Sequence, residues 1–301
     1  MTNSPELELI FKSPKHILRR ARQYAKKSLG QHFLSHPDIA KNIIQKSGVS
    51  SSDKVIEIGP GLGALTIPLS KFSKHIYAID LDQKLLSLLS EDINNKGITN
   101  VDLIHGDILK VPLDPIITNN QFLNSSDGKW IIMGNLPYHI SSQIIVKLIK
   151  ERKSFEQAVV MLQKEMAERI QSPPGSKAYG RLSVMTQYCA SVKPLMTIKG
   201  CDFFPRVNVD SQVIIINFHK KIPYPVEDEN YLFQIIKAAF GKRRKTLKNS
   251  LSSSGLAFSS KKVVDVLQQA GVDPQRRAET LSVEEFSNIS NLFFKQQSMK
   301  G

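Results

Sequence analysis

Cysteine is nearly absent. The 301 residues contain two, Cys189 and Cys201, with no C-x-x-C pattern, which excludes a disulfide framework and a thiolate metal cluster and leaves both as bystander thiols of a reducing compartment. Apolar runs long enough to cross a membrane are missing, as is the apolar core of a signal peptide. Glu6 and Glu8 stand where a transit peptide avoids acids, so a cytoplasmic chain is expected. No H-E-x-x-H motif occurs. His32 and His36 lie four apart, but Pro37 interrupts the helix that would align them, and no metal is expected. There is no internal repeat and no low-complexity tract.

Acidic residues are also scarce, 27 against 41 Lys and Arg, giving a formal charge of +14. The excess is clustered, as on a surface that meets phosphates. Residues 12–27 carry Lys12, Lys15, Arg19, Arg20, Arg22, Lys26 and Lys27 without an acid, on a basic arm spanning residues 1–30 that reads as partly flexible. A solvated face is the alternative for this run. The second cluster, Lys242, Arg243, Arg244, Lys245 and Lys248, follows an apolar helical pattern from Tyr231 to Phe240. For each phosphate neutralised, affinity should fall by about 0.7 to 0.9 log units per tenfold rise in salt.

Between the clusters, strand and helix patterns alternate. Lys54-Val-Ile-Glu-Ile58 reads as a buried strand running into Gly59-Pro-Gly-Leu-Gly63, followed by a helical pattern at Leu65, Leu69 and Phe72. Glycines permit the sharp turn and leave no Cβ in the way of a ligand. A second strand, His75 to Asp80, ends in a carboxylate at a spacing that suits gripping the two hydroxyls of a ribose. Gly59, Gly61 and Ala64 also satisfy the looser dinucleotide fingerprint, so the glycines alone do not choose a cofactor. A third strand, Asn100 to Asp107, ends in a carboxylate placed to accept a hydrogen bond from an adenine amino group. Asp82 reads as a cap for the helix to Lys96, stopped by Gly97.

A fourth strand, Lys129 to Gly134, delivers Asn135-Leu136-Pro137-Tyr138. An exocyclic aromatic amine is a poor nucleophile because its lone pair is delocalised into the ring. The Asn135 amide oxygen and the Leu136 carbonyl can accept its hydrogens and localise that pair. Pro137 holds Leu136 extended, and Tyr138 offers a face to a base. The tetrapeptide is also an ordinary strand-to-turn sequence, so its weight comes from the motifs before it.

Further helices are expected at Pro37–Lys46, with Pro at its first turn and Gly48 beyond its end, and from Ser141 to Arg152. Strands follow at Gln157 to Leu162 and Gln212 to Phe218. Ser172 to Gly180 reads as a loop, an RNA-touching lid or an ordinary linker. The Pro-rich acidic stretch after Lys221 marks a boundary, and Ser282 to Glu285 reads as a capping box before Phe286.

Gly30-Gln-His-Phe-Leu34, Glu57-Ile-Gly-Pro-Gly-Leu-Gly63, Asn135-Leu-Pro-Tyr138, Gln163-Lys-Glu165, Pro174 to Ser183, Phe203 to Ser211 and Arg243 to Leu251 occur in one order. Together they resemble the adenine-N6 dimethyltransferases of ribosomal RNA, most closely the bacterial small-subunit (16S) enzymes, from about Lys27 to the end of the chain. The resemblance implies an α/β fold: a Rossmann-like class I S-adenosylmethionine-dependent methyltransferase sheet over residues 31–220. A small all-helical domain over 225–301 would help hold RNA.

It implies S-adenosylmethionine contacts at His32, Leu34, Gly59, Gly61, Asp80, Asp107 and Asn135. Catalysis falls on Asn135, Leu136, Tyr138 and Phe203, with Phe204 as the adjacent candidate for packing a base, and RNA binding on Lys242, Arg243, Arg244, Lys245 and Lys248. The implied reaction gives N6,N6-dimethyladenosine at two adjacent adenines in a hairpin loop near the 3′ end of 16S rRNA, by a chain expected to be monomeric. Three positions depart from the family pattern. His32 replaces Asn, Asp80 replaces Glu, and Val207 replaces a proline. The rivals are the related large-subunit dimethyltransferases, a non-catalytic RNA-binding factor on the same fold, and a dehydrogenase supported by the glycines alone.

Overall fold

The computed structural model describes residues 13–118, 128–242, 244–256 and 258–298. The chain forms two compact units. One extends to Ala167 and resumes at Lys193–Phe218; the other comprises Glu168–Val192 and everything from His219 onward.

The first unit is built on a seven-stranded sheet of β2 (Lys54–Ile58), β3 (His75–Asp80), β4 (Val101–His105), β5 (Trp130–Asn135), β6 (Gln157–Gln163), β7 (Ala190–Ile198) and β9 (Ser211–Phe218), in the order β4-β3-β2-β5-β6-β9-β7. The strands from β4 to β6 pair parallel, and β9 is antiparallel to β6. A parallel strand covered on both faces is buried along its length, and all five residues of β2 are buried, Lys54 and Glu57 included. The chain steps outward from β2 to β3 and β4, then returns to the other side of β2 as β5. Loops leaving the C-terminal ends of β2 and β5 therefore diverge and open a crevice between them. Gly134 makes this close pairing possible, because a Cβ there would stand 2.3 Å from the Ile58 carbonyl oxygen.

A separate two-stranded pair joins β1 (Phe33–Leu34) to β8 (Phe203–Phe204). Around these strands lie α1 (Pro14–Arg20), α2 (Pro37–Ser47), α3 (Thr66–Leu69), α4 (Gln83–Asn95), α5 (Leu113–Thr118) and α6 (Ser141–Glu151), while α7 (Lys164–Gln171) runs from one unit into the other. α2 starts on Pro37 and ends at Gly48, whose φ of 75° is the left-handed stop that glycine takes without cost. Asp82 caps α4 by accepting from the Lys84 amide.

The second unit packs α8 (Arg181–Cys189), α9 (Glu229–Ala239), α10 (Leu247–Ser252), α11 (Ser260–Gln269) and α12 (Val283–Ser298). Leu232, Ile235, Ile236 and Ala239 form the buried stripe of α9; Phe286, Ile289 and Phe293 form that of α12. The capping box closes as its sequence implies: Glu285 N donates to Ser282 Oγ at 3.1 Å, and Ser282 N to Glu285 Oε2 at 2.8 Å.

Four expectations change. The arm is no loose tail from residue 13 onward: α1 lays Ile17 and Leu18 against Leu62, Leu85 and Leu88. The helical pattern after Gly63 gives a single turn with Pro68 inside it, and Phe72 ends half-exposed. Residues 168–192 leave the expected 31–220 span for the helical unit, since α8 buries Val184, Met185 and Tyr188 there. The Ser172–Gly180 loop belongs to the same unit. Gly175 N donates to Glu279 O at 2.7 Å and the Tyr179 ring is buried, which leaves that ring no face for RNA.

Candidate active site

The crevice at the strand ends is a cleft of about 1050 Å³ including its open mouth, room enough for a nucleoside-sized ligand. It gathers His32, Leu34, Gly59, Gly61, Asp80, Asp107, Asn135, Leu136 and Tyr138 from five separate stretches of sequence.

On one wall, β2 ends in a glycine turn. Gly59 and Gly61 both have left-handed φ, 69° and 54°, and a Cβ on Gly61 would meet the Phe33 ring at 3.0 Å. The Gly61 amide donates to Asp80 Oδ2 at 3.2 Å, and the Asp82 amide to Asp80 Oδ1 at 2.8 Å. Even with the Leu81 amide also acting on it, the carboxylate keeps acceptor capacity for a ligand hydroxyl. Burial raises the pKa of Asp80 above the ordinary carboxylate value, against the pull of those amides. Asp107 holds its own turn, accepting from the Leu109 amide through Oδ1 at 3.0 Å, while its Oδ2 makes only a long, exposed ion pair with Lys110 Nζ at 3.9 Å and can accept a further hydrogen bond.

One member of this wall escaped the sequence reading. Glu57 lies inside β2, fully buried yet lining the cleft, and its Oε2 has no partner. Loss of water pushes its pKa up to about 7, with the nearby Asp80 adding to the rise and Thr66 opposing it. The sequence signal was a carboxylate within an otherwise apolar strand.

The opposite wall carries Asn135 to Tyr138. Asn135 Nδ2 donates to the His32 carbonyl at 2.9 Å, which fixes the amide and leaves Oδ1 as the open acceptor. Leu136 is held by its amide, which donates to Met161 O at 3.1 Å. The Tyr138 hydroxyl shares a 2.7 Å hydrogen bond with Ser211 Oγ, and burial raises its pKa. The His32 ring lies nearly parallel to the Tyr138 ring, 21° apart with centroids separated by 6.1 Å. Its Nδ1 is 3.0 Å from the Pro205 carbonyl, which can only accept, so Nδ1 carries the hydrogen and Nε2 of the neutral ring is an acceptor.

Phe203 is not on this wall. In the β1–β8 pair, Leu34 faces Phe203 and Phe33 faces Phe204. Side chains alternate along a strand, so the two pairs occupy opposite faces. Phe203, 1% exposed, joins Leu34, Ile43 and Met161 in the core, with no face left for a base. Phe204 packs with Phe33 and Leu62, both of which line the cleft.

In the second unit, Lys242, Arg244 and Lys245 are exposed, Lys248 is half-buried on α10, and Arg243 lies outside the described residues. Arg244 has φ 72°, a conformation uncommon for any residue with a side chain.

The family described as Ribosomal RNA adenine dimethylase matches residues 22–295. A protein of Desulforapulum autotrophicum named Ribosomal RNA small subunit methyltransferase A is 46% identical over 278 residues, covering 92% of this chain and 95% of that protein. One of the same name from Oceanobacillus iheyensis is 39% identical, covering 94% and 95%. Among solved structures, a dimethyladenosine transferase from Plasmodium falciparum superposes with a TM-score of 0.73 at 26% identity, over 88% of this chain and 98% of that one. The 23S rRNA methyltransferase ErmE reaches 0.63 at 20% identity, over 86% and 98%, a likeness of fold.

Proposed function

This chain belongs to the ribosomal RNA adenine dimethylase family, and from that premise we propose that it methylates N6 of two adjacent adenines in a hairpin loop near the 3′ end of 16S rRNA. S-adenosylmethionine is its methyl donor, and N6,N6-dimethyladenosine in the small subunit is the product. The reading places the chain in the cytoplasm, where ribosomal subunits are assembled, acting as a monomer.

The cleft suits that donor. Asp80 retains acceptor capacity for a ribose diol, Asp107 Oδ2 for an adenine amino group, and the glycine turn presents backbone without side chains. The unpartnered Glu57 oxygen adds a further acceptor at the cleft floor. When bound, S-adenosylmethionine supplies a methyl group made electrophilic by its sulfonium.

The chain's own residues supply position and electrostatics. An unpaired or extruded adenine stacks on Tyr138, whose ring Ser211 pins. Asn135 Oδ1 and the Leu136 carbonyl accept the N6 hydrogens and draw the nitrogen lone pair out of conjugation, towards the donor side of the cleft. No strong base is required, because the nitrogen becomes acidic once methylated. Its proton leaves to water or to an acceptor such as Nε2 of His32, whose ring stacks beside Tyr138. After one transfer the amine still has an N–H for Asn135 or Leu136, so the same site serves the second. Lys242, Arg243, Arg244, Lys245 and Lys248 are assigned to RNA phosphates.

The observation that carries this reading is the fixed Asn135 amide, whose oxygen is left open in the cleft that Gly59, Asp80 and Asp107 line. The test is incubation of the full chain with labelled S-adenosylmethionine and isolated small or large ribosomal subunits, followed by mapping of the modified nucleotide. Label is expected at adenine N6 of small-subunit RNA. Label confined to large-subunit RNA would overturn the proposal.

A further inference from the structure

Tyr24 is 87% exposed, the most exposed large apolar side chain of the described residues. A lone exposed ring is ordinary on a protein surface, but a ring flanked by exposed cations on an ordered segment is the combination that single-stranded nucleic-acid surfaces use. Along the chain no acid occurs from residue 13 to 37, and Lys15, Arg19, Arg20, Arg22 and Lys27 are exposed; across from them, Arg20 shares a surface hollow with Glu91 and Asp92. None of Arg19, Arg20 and Arg22 forms an ion pair among the described residues.

The segment is held against the active site. Lys26 Nζ meets Asp82 Oδ2 at 2.8 Å, Gln31 Nε2 donates to the same oxygen at 2.8 Å, and the Asp82 amide holds Asp80. The chain then enters the cleft wall at Leu29 and Gly30. The turn that exposes Tyr24 carries strain as well. Gln23 N donates to Leu18 O at 2.8 Å and Arg22 N to Arg19 O at 3.1 Å, closing α1 with Arg22 at φ 51°. Glycine takes that position freely and arginine does not, so the helix stop is built around a cation.

We propose that residues 19–27 form a ledge for single-stranded RNA at the mouth of the cleft, with a base stacked on Tyr24 and flanking phosphates on Arg19, Arg20 and Arg22. This rests on the ribosomal RNA reading above. A bare π-face flanked by cations fits a nucleotide chain, whose bases all stack and whose phosphates all carry charge. The ledge holds the strand beside the target adenine and presents that base to Tyr138.

The test compares Tyr24→Ala, Tyr24→Trp and Arg22→Gly with the parent chain. Affinity for isolated small ribosomal subunits lacking the modification is measured over a salt series, and affinity for S-adenosylmethionine by calorimetry. Tyr24→Ala should weaken RNA binding about five- to hundredfold, whereas Tyr24→Trp should bind like the parent. Arg22→Gly should make the salt dependence shallower by about 0.7 log units per tenfold salt while melting no lower than the parent. Donor affinity should be unchanged in all three. The ledge is overturned if Tyr24→Ala binds subunits as the parent does, if Tyr24→Trp loses as much as Tyr24→Ala, or if Arg22→Gly leaves the salt dependence unchanged. A parent chain that binds neither subunit nor donor overturns the underlying function instead, a distinct result.

Discussion

The two walls of the cleft differ in how much of their hydrogen-bonding capacity is already committed. On the glycine-turn side, both Asp80 oxygens and one Asp107 oxygen accept backbone amides. That side is shaped in advance and keeps only part of its capacity for a ligand. On the Asn135 side the donors are tied down, Asn135 Nδ2 to His32 and the Leu136 amide to Met161, while the acceptors stay open. An amine offers hydrogens and needs acceptors, so the asymmetry fits an amine as the group acted upon.

Four substitutions test this contrast, beginning with the largest effect. Phe203→Ala removes a fully buried ring from the core beneath the second wall and should cost about 3–5 kcal/mol of stability in urea unfolding. A folded variant that keeps its stability and loses RNA affinity would move Phe203 back into the site. Asn135→Ala should cut turnover about hundred- to thousandfold, the scale of losing one preorganised transition-state hydrogen bond, and leave subunit affinity within about twofold. Equal losses in turnover and affinity would show that Asn135 holds substrate without activating it.

Glu57→Gln sharpens the first wall. The folded chain holds the Glu57 proton up to about pH 7, whereas the unfolded chain loses it near the ordinary carboxylate value of 4.5. Folding therefore takes up a proton across that window, and this carboxyl makes the parent less stable as pH rises through it. The amide cannot ionise, so the variant should gain on the parent by up to roughly 3 kcal/mol above pH 7, and the gain should fade below about pH 4.5. A gain independent of pH would mean that Glu57 is already charged in the folded chain. Smallest is Tyr138→Phe, which loses the Ser211 hydrogen bond and keeps the ring, for about 1 kcal/mol of stability and a few-fold change in turnover. A loss as large as that of Asn135→Ala would give the hydroxyl a role in the chemistry itself.

What the sequence disclosed was local. Largely apolar runs ending in Gly59, Asp80 and Asn135 announce parallel strands whose tips carry the site, and those tips do meet in one cleft. Phe203 was assigned otherwise because its side depends on a register with β1, set some 170 residues earlier in the chain. Two adjacent phenylalanines cannot both face one way, and nothing near them says which turns inward. The membership of residues 168–192 was hidden for a related reason: α8 buries its apolar side against helices that the chain forms only after residue 228. Glu57 stood inside a quoted motif, but its burial follows from strands pairing on both sides of β2.

The hydroxyl that pins Tyr138 belongs to β9, near the far end of the first unit. A chain still emerging from its own ribosome already holds Gly59, Asp80, Asp107 and Asn135 by the time Tyr138 appears, and yet the ring has no anchor until Ser211 is made and β9 zips against β6. The Tyr138 ring is thus among the last parts of the cleft to be fixed in place, when the antiparallel strand closes on β6.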